Sequence, residues 1–136
     1  MAQGKDYLYL LESLMENDSF IAKRSFGGLF VYYEGKLVIV LMDDPSLDYR
    51  GKTYPFAPWD GVLIPTDKDY HAELKREYPF LKTQPFLQKW LMIPNSEHIE
   101  DQTEEIIKLV LSQDDRIGVY PKPRKPRSKK TVSKKK

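Results

Sequence analysis

Apolar residues recur at two different periods along this chain. Between residues 5 and 16, Tyr7, Leu8, Leu10, Leu11, Leu14 and Met15 fall at helical spacing, with Asp6, Glu12 and Ser13 turned outward. The spacing predicts a helix ended by Asn17-Asp18, because both side chains compete for helical backbone bonds. The period then shortens. Residues 19–23 read as a first short strand, and Leu29-Phe30-Val31-Tyr32-Tyr33 is rich in the β-branched and aromatic residues of strands. Gly27-Gly28 marks a bulge or a close backbone approach. Glu34-Gly35 reads as a hairpin turn of type I with a bulge, Gly35 taking positive φ, and residues 36–42 are the partner strand. That partner strand is apolar on both sides, with Leu37, Ile39 and Leu41 on one and Val38, Val40 and Met42 on the other. A strand with one wet face would alternate, so both faces need a cover. Helices supply one cover, and a second subunit is the expected other, which gives homodimerisation a physical motive.

Residues 43–61 form a long connection carrying Tyr49, Tyr54, Phe56 and Trp59 among Pro45, Pro55 and Pro58. Connections of that length are uncommon in compact domains and are often functional. These four rings either pack the loop onto the body or present a partner-binding surface. Val62-Leu63-Ile64 is a short strand stopped by Pro65. Thr66 is the expected cap of a helix over 67–78, with Asp67 and Asp69 at its positive end and Tyr70, Leu74 and Tyr78 as its apolar stripe. Residues 86–93, with Trp90, read as a further strand. Asp101 is the expected cap of a last helix to about residue 112, with Glu104 at capping-box spacing and Ile106, Ile107, Val110 and Leu111 facing inward.

Charge divides the chain in two. Lys122, Arg124, Lys125, Arg127, Lys129, Lys130, Lys134, Lys135 and Lys136 crowd the last fifteen residues with no acid among them. Removing those nine from 22 basic residues leaves 13 against 20 acids, so a body of −7 stands beside a tail of +9. Low apolar content and frequent proline make residues 122–136 a disordered basic tail, and residues 1–121 one folded domain. A flexible cationic segment neutralises phosphates and releases counterions, which implies nucleic-acid affinity without sequence preference. No run of eighteen apolar residues is present, so no membrane span is expected. The start lacks a basic and apolar leader pattern, and cysteine is absent, so a cytoplasmic protein without disulfides is the expectation.

Residues suited to catalysis are sparse. The two histidines, His71 near Glu73 and Glu77 and His98 near Glu97 and Glu100, fall on an exposed helix surface and a solvated loop. No serine sits in a nucleophile elbow, and Asp43-Asp44 and Asp114-Asp115 lack calcium-loop spacing. Gly27-Gly28 is followed by a strand and by no Gly-Lys-Ser/Thr, which excludes a phosphate loop. The run from Arg24 to Tyr33 is superficially like an RNA-stacking signature. There, however, Gly28-Leu29 intrude between the glycine and the phenylalanine, and a helix precedes the hairpin. A non-catalytic chain without cofactor or metal is expected.

Arg24-Ser25-Phe26-Gly27-Gly28, followed by Tyr32-Tyr33, Gly35-Lys36 and an apolar strand, resembles the N-terminal domain of the TfoX/Sxy competence-regulator family. In that resemblance Phe26, Gly27, Gly28 and Gly35 are the structural signature, and Pro79-Phe80, Pro94 and the acid-capped last helix are later landmarks. The resemblance implies an α+β domain with a mostly antiparallel sheet and flanking helices, a type also found in secretion chaperones. It implies a regulatory binding module, without catalytic residues and without the family's C-terminal domain. A chaperone-like dimeric adaptor that holds a protein segment is the alternative.

Overall fold

A computed structural model describes residues 9–25 and 27–120. Residues 1–8, 26 and 121–136 lie outside the described residues, and with them the start of the helix expected over residues 5–16, Phe26 and the whole basic tail.

The elements in chain order are α1 (Glu12–Met15), β1 (Phe20–Ser25), β2 (Gly28–Tyr33), β3 (Lys36–Asp43), β4 (Asp48–Tyr49), β5 (Lys52–Thr53), β6 (Asp60–Ile64), α2 (His71–Glu77), β7 (Lys82–Thr83), β8 (Leu91–Pro94) and α3 (Ile99–Leu111). Six strands form one antiparallel sheet in the order β1-β2-β3-β6-β8-β7, and β4 pairs with β5 as a separate hairpin. The fold is therefore α+β with an antiparallel sheet. No helix among the described residues is long and apolar enough to cross a membrane.

Local chemistry explains most element ends. The Asn17 side-chain amide donates to the carbonyls of Ser13 and Leu14, which ends α1 as expected. Leu10, Leu11 and Leu14 are buried, but Met15 is 48% exposed, because one short helical turn presents only part of the predicted stripe. Glu34 and Gly35 both take positive φ, 53° and 82°, between the paired residues Tyr33 and Lys36. That is a two-residue type I′ turn, not the expected type I with a bulge, and its twist matches the strands it joins. Gly28 is a close approach: a Cβ there would stand 2.6 Å from Met42 Sδ and 2.7 Å from the Leu41 carbonyl.

The bulge lies further along the same hairpin. Val31 pairs with Ile39 and Tyr32 with Leu37, so Val38 is an extra residue in β3. One inserted residue flips the faces beyond it. Val38 consequently joins Ile39 and Leu41 on one face, while Leu37 joins Val40 on the other, which corrects the simple alternation expected.

Later elements shift too. Asp67, not Thr66, caps the 3-10 turn Lys68–Tyr70 that precedes α2, its carboxylate accepting from the Asp69 N–H. Thr66 is buried and donates instead to the Arg116 carbonyl. The strand expected over 86–93 is only Leu91–Pro94, since residues 84–90 are a loop, and β7 was not expected. Helix α3 begins two residues before Asp101, and the Glu104 carboxylate accepts from Ser13 Oγ rather than closing a capping box.

The sheet is covered on both sides. Leu11, Leu14, Leu74, Ile106, Ile107 and Val110 from the helices pack against Val31, Ile39, Leu41, Val62, Ile64, Leu91 and Ile93 on one face. Opposite them, Leu37, Val40, Leu63 and Met92 are buried beneath Phe56, Trp59, Trp90 and Val119, which come from loops. The chain's own loops thus cover the second face, and they cover it incompletely.

Candidate functional site

The incomplete cover leaves a cleft of about 690 Å³ on the loop face. Its floor is sheet: Phe30, Val40, Met42 and Leu63. Tyr49 and Trp59 from the 44–59 loop line it, as do Leu87 and Trp90 from the 84–90 loop. Gly27, from the connection between β1 and β2, borders it, and Asp43 and Asp44 at the end of β3 give it an acidic edge.

The loops are held by a small set of bonds. Gln84 is fully buried; its amide N–H donates to the Pro58 carbonyl at 2.8 Å, and its carbonyl accepts from the Phe86 and Leu87 N–H groups at 2.7 and 2.6 Å. One side chain therefore ties both loops together. Above it Trp59 stacks on Phe86 with centroids 5.6 Å apart and planes 13° from parallel. Tyr49 meets Phe86 edge-on at 4.8 Å, and Tyr54 tilts against the same ring at 5.3 Å. The Asp44 N–H donates to the Trp59 carbonyl, and the Asp44 carboxylate accepts from the Ser46 N–H, which fixes the acidic corner. His71 Nε2 donates to the Lys89 carbonyl at 2.8 Å and braces the 84–90 loop from α2. The Trp59 indole N–H is buried and meets no acceptor among the described residues.

Of the four rings singled out in the 43–61 connection, Tyr49 and Trp59 reach the cleft. Tyr54 stands behind them on Phe86, and Phe56 packs on the loop-face core and borders a second, shallower depression with Phe80 and Pro94. These rings pack the loop onto the body, and Tyr49 and Trp59 also wall the cleft. Gln84, Phe86, Leu87 and Trp90 were not expected at a site. The only available signal was the aromatic and proline content of 85–90, which resembled a strand.

One ion-pair cluster lies away from the cleft lining. Arg116 donates to both Asp114 oxygens, at 2.9 and 2.8 Å, and to Glu77 at 3.0 Å, with Glu73 3.6 Å away. Those bonds hold the Asp114 carboxyl below its ordinary range and keep Arg116 charged. The cluster pins residues 114–117 to α2, a structural task. His98 stands 3.4 Å from its sequence neighbour Glu97 and is well exposed. Among the described residues, no three of His, Asp or Glu gather as metal ligands. The nine basic tail residues lie outside the described residues. The cleft presents apolar and aromatic surface with two carboxylates at one edge. No family model, curated protein or solved structure matches the chain.

Proposed function

We propose that this chain is a non-catalytic binding module whose cleft takes an extended, apolar protein segment that carries positive charge. The observation that carries the reading is the cleft itself, with an aromatic and aliphatic lining and Asp43 and Asp44 at its edge. Aromatic walls bury large area at small entropic cost, and acids at one end select for basic residues and fix direction. This is the chaperone-like adaptor reading of the sequence. The TfoX-type resemblance, with its Gly27-Gly28 hairpin and antiparallel sheet, is in keeping with a regulatory module that works by contact.

The chain's only two tryptophans, Trp59 and Trp90, both line the cleft, so their indole N–H signals report on it directly. A short synthetic peptide of proline, aromatic and arginine residues is expected to shift both signals. The same peptide with glutamate for arginine is expected to bind at least about tenfold more weakly, the effect of roughly 1.4 kcal/mol. Peptides that leave both indoles unmoved would refute the reading.

A second function rests on the nine tail cations: non-specific nucleic-acid affinity, with a regulatory role of the TfoX type. Replacing the tail's lysines and arginines with glutamine in the full chain is expected to abolish binding to duplex DNA at low salt. Unchanged binding would remove this second function.

A further inference from the structure

The chain itself contains a segment of the chemistry the cleft suits. Residues 121–127 read Pro-Lys-Pro-Arg-Lys-Pro-Arg, followed by Ser128, Lys129 and Lys130. Prolines at 121, 123 and 126 fix φ and remove backbone donors, which favours an extended polyproline II conformation. Segments of that kind dock in aromatic-lined grooves, because they bind with little conformational entropy left to lose.

The described chain ends beside the loop face. Val119 and Leu37 exchange backbone hydrogen bonds at 2.8 and 3.0 Å, and Val119 packs on the loop-face core. Tyr120, the last described residue, is 69% exposed. From Leu37, β3 runs to Val40 on the cleft floor and on to Asp43 at the acidic edge. At about 3.3 Å per residue these points lie roughly 10 and 20 Å away. A polyproline II chain advances about 3.1 Å per residue, which puts Pro126 roughly 19 Å of contour beyond Tyr120. The bridge is antiparallel, so the chain leaves toward Lys36 and must reverse to reach the cleft. Tyr120-Pro121 is a dipeptide suited to that turn. The sixteen residues after Tyr120 leave enough length for that reversal and for reaching Asp43 and Asp44.

We infer that the cleft is a binding site for a proline-rich basic segment in the polyproline II conformation, and that residues 121–130 of this chain are its occupant in cis. The inference rests on the cleft being a protein-segment site. Tethering helps it, since a short flexible tether holds the segment at an effective concentration of about a millimolar, so even weak intrinsic binding fills the cleft. A polyanion that takes up the tail's cations therefore also opens the cleft, which couples the two functions.

The test uses the full chain and the two indole N–H signals. The variant Pro121→Ala, Pro123→Ala, Pro126→Ala, Arg127→Glu changes only residues outside the described fold. It is expected to move both indole signals, and duplex DNA added to the wild-type chain is expected to move them in the same direction. A free peptide of residues 121–130 is expected to bind the variant at least about tenfold more tightly than it binds the wild-type chain, whose own tail competes. Adding Trp59→Ala to the variant should remove that binding, while unchanged amide dispersion elsewhere shows the fold intact. Indole signals identical in wild-type and variant chains, with no binding of the free peptide to the variant, would overturn the inference. If the synthetic proline, aromatic and arginine peptide binds the variant but the 121–130 peptide does not, the cleft reading stands and its cis occupant is refuted. If neither peptide moves the indoles, both readings fall.

Discussion

The two faces of the sheet share strands but are covered by opposite means. On one face helices lie flat over Ile39, Leu41, Val62, Ile64, Leu91 and Ile93, and sheet residues of both faces, Val40, Leu63 and Met92 included, are wholly shielded. On the other, loops must find partners for their own N–H and C=O groups. They find them in Gln84, Asp44, Ser46 and His71, and the result is a cover with a gap. The helix face is closed, and the loop face carries the cleft. Adjacent residues of β3, such as Val40 and Leu41, lie on these opposite faces a few ångströms apart.

The sharpest way to break that contrast is to remove side chains from each face. Ile93→Ala, on the helix face, is expected to cost about 2–5 kcal/mol in urea unfolding at unchanged m-value. Met42→Ala, half-buried on the loop face, should cost less than half as much. Equal losses would mean that Met42 is packed as tightly as Ile93.

Gln84→Ala comes next. It leaves the Phe86 and Leu87 N–H groups and the Pro58 carbonyl without their partner, a penalty of about 1–3 kcal/mol. The damage is expected to be local, with both indole signals shifted and amide exchange in α3 still slow. Loss of protection in α3 would show that the two faces unfold as one.

Arg116→Ala should have the smallest effect, about 1 kcal/mol at neutral pH, because Glu73 and Glu77 are well exposed and screened. Its pH dependence is the sharper readout. Bonds from Arg116 hold the Asp114 carboxyl below its ordinary 3.8. A depressed folded-state value contributes stability that is complete above 3.8 and is lost as pH falls through the lower folded value. The gap between wild type and variant, measured by unfolding, should therefore close as pH drops below about 4.

Much of the helix face was legible in the sequence, because Leu11, Leu14, Ile106, Ile107 and Val110 recur at the helical period that burial demands. The antiparallel hairpin was legible from Gly35 and the strand composition around it. The bulge at Val38 was not, since every residue from Leu37 to Leu41 is apolar and no pattern marks which one is extra. The walls of the cleft were half legible. Tyr49 and Trp59 stood out in a long aromatic connection, but their partner loop resembled a strand. Gln84, a lone polar residue before a proline, carries no local signal of its role; only the long-range contact with Pro58 reveals it.

The alternation along β3 also gives the most direct test of the central claim that the loop face, and not the sheet as a whole, is the binding surface. Methyl signals of Val40, Met42, Leu63, Ile39, Leu41 and Val62 are to be followed while the synthetic proline, aromatic and arginine peptide is titrated into the tail variant. Val40, Met42 and Leu63 are expected to shift together with both indoles, and Ile39, Leu41 and Val62 to stay in place. Shifts of equal size on both faces, or none at Val40, Met42 and Leu63, would contradict it.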